Sequence, residues 1–79
     1  MYYTIGMQKA FRSITPPPNF SVSIIDDEFF ITVLAKEKDF MRLTGEEKYM
    51  AVEYMIRVKN ALEDQGAVVQ LVREGGKNE

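Results

Sequence analysis

Cysteine and histidine are both absent from this chain. Without them there is no disulfide framework, no sulfur or imidazole metal ligand, and no Ser–His or Cys–His nucleophilic pair. The lack of cysteine suits a reducing compartment. No apolar run approaches the length of about 18 residues that a membrane span requires. The start, Met1 to Met7, lacks the charged opening, long apolar stretch and cleavage site of a signal peptide. A cytoplasmic location is the expectation, with no membrane partner. Glycine-rich phosphate loops are missing as well: neither G-x-x-x-x-G-K-[ST] nor G-x-G-x-x-G occurs, and Gly75-Gly76 lies in the tail. A basic surplus is lacking, since ten Lys and Arg face twelve Asp and Glu for a net charge of −2. A duplex-binding domain concentrates positive charge on one face.

What is present is ordinary globular composition, 46% hydrophobic and 28% charged in 79 residues. That length holds one domain and buries about 60–65% of the unfolded surface, enough for a thin core. Residues 1–15 form an N-terminal arm with β-like or irregular content around Tyr2, Tyr3, Ile5, Met7, Phe11 and Ile14. Residues 16–19 form a connector in which three consecutive prolines fix φ and remove backbone donors. Residues 20–73 carry the α+β core, and residues 74–79 form a tail with no apolar anchor.

Within the core, Phe20–Ile25 and Phe29–Ala35 are rich in β-branched and aromatic residues and flank Asp26-Asp27-Glu28. They predict a β-hairpin. With an even loop, Phe20, Val22 and Ile24 share a face with Phe29, Ile31 and Val33. Ser21, Ser23, Ile25, Phe30, Thr32 and Leu34 take the other face. Lys36–Leu43 reads as a charged loop. Thr44-Gly45-Glu46-Glu47 is a capping box that opens a helix running to Gln65, and Gly66 supplies its stop. Ala67–Val72 is a last strand with Val69 and Leu71 inward and Gln70 outward. The predicted fold is therefore ββαβ, with or without an extra N-terminal strand, its helix packed on one face of a three- or four-stranded sheet. The last strand can pair parallel to its neighbour through the helical crossover.

At about 100° per residue, Met50, Ala51, Tyr54, Met55, Val58, Ala61 and Leu62 share one helix face. Tyr49, Val52 and Ile56 form a second apolar stripe that one sheet does not need. The arm or the Phe40-Met41 loop can cover it, and so can another chain. On the sheet face away from the helix, Phe30 and Leu34, with Val68 and Val72, form a second candidate patch. Tyr49, Val52, Ile56, Phe30 and Leu34 are thus the expected interaction residues.

The function expected is a non-enzymatic interaction or regulatory module that binds another protein or itself, a possible homodimer, with no cofactor and no small-molecule substrate. A single-stranded nucleic-acid binder is a disfavoured alternative, resting on Phe30 with Tyr2 or Tyr3 near Lys36, Lys38 and Arg42. A carboxylate metal site or enzyme at Asp26, Asp27 and Glu28 is weaker still. That cluster lacks the ligand spacing of a calcium loop and reads first as a solvated turn. The three prolines lack P-x-x-P spacing and act as a spacer.

Overall fold

The computed structural model describes residues 3–75. In order it contains α1 (Ile5–Arg12), β1 (Ser23–Asp26), β2 (Ile31–Lys36), α2 (Glu37–Met41), α3 (Gly45–Asp64) and β3 (Val69–Glu74). The three strands form a mixed sheet in the order β1-β2-β3. β1 runs antiparallel to β2, with Ile24 opposite Val33 and Asp26 opposite Ile31. β3 runs parallel to β2, with Ile31 opposite Val69 and Val33 opposite Leu71. This is the predicted ββαβ arrangement, with one long helix joining two parallel neighbours.

α3 is the best-specified element. The Thr44 hydroxyl accepts from the Glu47 amide at 3.2 Å, and the Glu47 carboxylate accepts from the Thr44 amide at 2.9 Å. These two bonds satisfy donors that the first turn would leave orphaned. At the other end Gly66 adopts φ 95°. The Ala67 amide reaches the Leu62 carbonyl at 3.1 Å, and the Gly66 amide reaches that of Glu63 at 2.9 Å. That pair of bonds is the Schellman closure, and it seats Ala67 in the core beside Leu62.

Ala51, Tyr54, Met55, Val58 and Leu62 of α3 are buried against Ile31, Val33 and Ala35 of β2. Glu46, Glu53, Arg57, Asn60 and Asp64 face water as expected. Met50, placed on the core face by the helical wheel, lies on its rim and is 41% exposed. Tyr54 is buried edge-on to Phe20, with ring centroids 6.4 Å apart. Burial pushes its phenol above the ordinary value. The fold therefore disfavours the tyrosinate relative to the unfolded chain. The resulting stability is full below the unfolded value, about pH 10, and is lost as pH rises through the higher folded-state value. Tyr54→Phe retains the ring, so its melting temperature should fall less steeply above pH 10 than that of wild type. A thermal unfolding series across alkaline pH measures this.

Four expectations are corrected. The N-terminal arm is a helix, not a strand or irregular segment. Thr4 caps it by accepting from the Met7 amide at 3.1 Å. Tyr3, Met7, Phe11 and Ile14 recur at helical spacing and all meet the core. α1 packs beside α3, and Gly6 lies against the end of the Gln65 side chain just past α3. The charged loop after β2 contains the short helix α2, held by buried Phe40.

Phe29 does not join the core face. The hairpin loop spans 27–30 and is closed by the Asp27 amide on the Phe30 carbonyl at 3.0 Å. Phe29 rides its tip, 71% exposed. Finally, β3 continues to Glu74, past the predicted end at Val72. Arg73 is anchored by Glu37 at 3.2 Å and lies 5.2 Å from the centre of the Phe40 ring. Of the predicted tail, residues 76–79 lie outside the described residues.

Candidate interaction surface

The two helices and the connector lie on one side of the sheet. Met7 of α1 and Phe20, which follows the prolines, are buried in the same cluster as the α3 face. After the prolines, Asn19 turns the chain with φ 64°, a left-handed conformation that Asn tolerates better than most residues. The Tyr3 amide donates to Asp26 at the end of β1, at 3.3 Å. Burial raises the Tyr3 phenol; Arg12 pulls it down and Asp26 pushes it further up.

With the arm so placed, the second stripe of α3 stays bare. Tyr49 is 68%, Val52 40% and Ile56 44% exposed. Neither α1 nor the Phe40-Met41 segment covers them. The three are also not one surface. Tyr49 borders a cleft of about 340 Å³ in which Pro16, Pro17 and Pro18 face Met50, Tyr54 and Arg57. Val52 belongs to the opposite flank. There, with Met55, Phe40, Leu71, Val72 and Arg73, it lines a groove of about 290 Å³ between α3 and the outer edge of β3. Ile56 lies one turn beyond Val52 and two turns beyond Tyr49, on the solvent side of α3 between the two.

The outer sheet face is the second surface. In register across it lie Ser23, Leu34 and Val72, then Ile25, Thr32 and Gln70. Thr32 is buried at the centre, and its hydroxyl accepts from the Gln70 side-chain amide at 3.0 Å. Leu34 and Phe30 are half-buried by neighbours in the sheet, while Ile25 and Val72 are exposed. No described helix packs on this side.

The other candidate chemistries are placed as follows. Tyr3 packs against the core on the helix side, whereas Phe30, which precedes β2 and accepts from the Asp27 amide at 3.0 Å, extends the alternation by one step to the outer face. The two rings therefore do not share a platform, and Tyr2 lies outside the described residues. Lys36, Lys38 and Arg42 are exposed, but Glu37 and Asp39 stand among them. In the acidic turn, Asp27 accepts from the Glu28 amide at 2.6 Å and Asp26 accepts from Tyr3, both local structural bonds. Among the described residues, no group of three or more acidic side chains is placed to hold a metal ion.

The groove beside β3 was the feature hardest to read in the sequence. Its residues come from α2, α3 and β3. The visible signals were Leu71 on an inward position and Val52 off the core face, with nothing to show that they meet. No helix among the described residues is long and apolar enough to cross a membrane. The chain matches no known protein family, no curated protein and no solved structure.

Proposed function

We propose that this chain is a non-enzymatic interaction module that acts by binding protein through apolar surface its own fold leaves uncovered. The observation that carries the reading is the state of α3. Five of its side chains complete the core, and Tyr49, Val52 and Ile56 remain exposed beyond that need. A thin domain gains nothing for folding from apolar residues in water; the contiguous part of this exposed apolar surface is Val52 with Leu71 and Val72 in the groove beside β3, and such surface marks association sites. The half-buried Leu34 and Phe30 of the outer sheet face add a second, flatter surface to the same reading.

Ile56→Ser separates folding from binding. Ile56 faces water in the isolated chain, so its loss should change unfolding free energy by less than about 0.5 kcal/mol. Association through α3 should weaken markedly, read by sedimentation velocity and by capture of a partner on immobilised chain. Glu53→Gln, on the solvent side of the same helix, is the control and should change neither. If wild type is monomeric, and if what it captures is the same for Ile56→Ser, the reading is wrong.

A further inference from the structure

We propose that the groove beside β3 binds a second copy of this chain, the two β3 edges pairing antiparallel about a two-fold axis at Leu71 to give one six-stranded sheet. This rests on the interaction-module reading and names its partner.

The first argument is the hydrogen-bonding edge. Among the described residues, β3 pairs with β2 on one side only. The Ile31 amide donates to the Val68 carbonyl at 2.8 Å, in a parallel register that sets Ile31 opposite Val69. In a parallel ladder the even residues of β3 then direct both N–H and C=O toward β2. Val69, Leu71 and Arg73 direct theirs outward. Such an edge is a template for another strand. An antiparallel copy centred on Leu71 pairs Leu71 with Leu71 and Val69 with Arg73. Every pair joins outward-facing odd residues, so donors and acceptors match. The two-fold is perpendicular to the sheet, so helix faces stay together.

The second argument is what then lies above the seam. Leu71 points to the helix side yet is 41% exposed, because α3 does not extend beyond β3 to cover it. Val52 and Met55 form the other wall of the same groove. Strands lie about 4.8 Å apart and packed helices 8–10 Å apart, so one helix per two strands continues across a seam without a gap. The two α3 helices would meet along the Val52 flank, with Ile56 at its upper rim and the paired Leu71 side chains beneath them.

The third argument is charge. Lys48 stands near the start of that flank and Glu63 at its end. Helices related by the two-fold run antiparallel, and with the axis beside Met55, which lines the groove with Leu71, Lys48 of each copy comes near Glu63 of the other, twice, where Glu63 also holds Lys59 of its own chain at 3.0 Å.

Sedimentation equilibrium and backbone amide exchange, followed by NMR at several concentrations, test the proposal on the full chain. The expected result is a dimer whose Val69, Leu71 and Arg73 amides become protected as concentration rises. Leu71→Lys opposes two charges at the axis and should weaken association roughly a hundredfold or more, with an unchanged circular dichroism spectrum. Lys48→Glu and Glu63→Lys should each weaken it, and the double exchange should restore it. Both single exchanges favour the α3 dipole, while Glu63→Lys also gives up the Lys59–Glu63 pair at 3.0 Å, so the circular dichroism spectrum of each is compared with wild type. A dimer whose odd β3 amides exchange freely, or one dissociated by Leu34→Lys and not by Leu71→Lys, overturns the proposal in favour of the outer sheet face. A wild-type monomer that captures another protein only with Ile56 intact overturns the second copy and leaves the interaction reading standing. A monomer with no Ile56-dependent capture removes both.

Discussion

Phe20→Ala should destabilise the fold by about 3–5 kcal/mol, the range for truncating a buried aromatic ring. A chain of this size has roughly 4–12 kcal/mol of stability in all, so the variant should be marginal or unfolded at room temperature. Phe20 precedes β1 and belongs to no strand or helix, yet it is only 5% exposed. Its ring meets Phe40 of α2 edge-on at 6.2 Å and Tyr54 of α3 at 6.4 Å. Edge-to-face contacts at these separations add to the burial itself. The three residues come from three separate elements, so the ring also joins the proline connector to both helices. Alanine leaves a void whose walls are already fixed by the sheet and by α3. A urea titration should show the midpoint falling with little change in slope. A loss below about 1 kcal/mol would mean that the walls collapse onto the site, at the low end of cavity behaviour.

The same residue shows where sequence reading succeeds. Phe20 was placed on the core face by parity, counting across an even loop, and it is there although it lies outside the strand. Parity went no further than the choice of face, because a slip of one residue would turn Ile31 and Val33 out into water; the register itself, with Ile24 opposite Val33, comes from the structure. The ends of α3 were legible because caps are local: Thr44 with Glu47 and Gly66 with Ala67 act within a few residues.

Phe29 failed for a physical reason. Alternation holds only while a residue stays in the ladder, and the loop closes at Phe30, so Phe29 is released to the tip. α1 was missed because Tyr2, Tyr3 and Gly6 read as β or breaker. The Thr4 cap and the spacing of Met7, Phe11 and Ile14 were nonetheless present. α2 is a five-residue helix, too short for any period to appear.

The candidate surface was legible in part for a related reason. A helical wheel gives each residue an angle and does not say which flank meets which strand. Tyr49, Val52 and Ile56 were correctly set apart from the core face. That Tyr49 turns toward the prolines and Val52 toward β3 depends on where the sheet lies beneath α3. Only tertiary structure supplies that, so the groove with Leu71 was out of reach.

Leu62→Ala should be the second most damaging substitution, at about 2–5 kcal/mol. Leu62 is fully buried, and its backbone carbonyl is where α3 ends. It accepts from the Gln65 amide at 3.0 Å and from the Ala67 amide at 3.1 Å. Alanine keeps those bonds, since they are made by the backbone, and it is the strongest helix former. Any measured loss therefore reports the side chain alone: the burial removed and the cavity left between α3, Ala67 and the sheet. The turn into β3 rests on that contact, so the amides of β3 should lose protection from exchange in the variant. Those of β1, paired on the far side of β2, should lose protection only to the extent that global stability falls. Equal loss of protection in both strands would mean that the sheet opens as one unit and that β3 has no separate dependence on Leu62. Leu62 is fully buried and touches no part of the exposed surface, so any change in association in this variant should track the fraction unfolded. Substitutions on the exposed flank of α3 should leave that fraction unchanged.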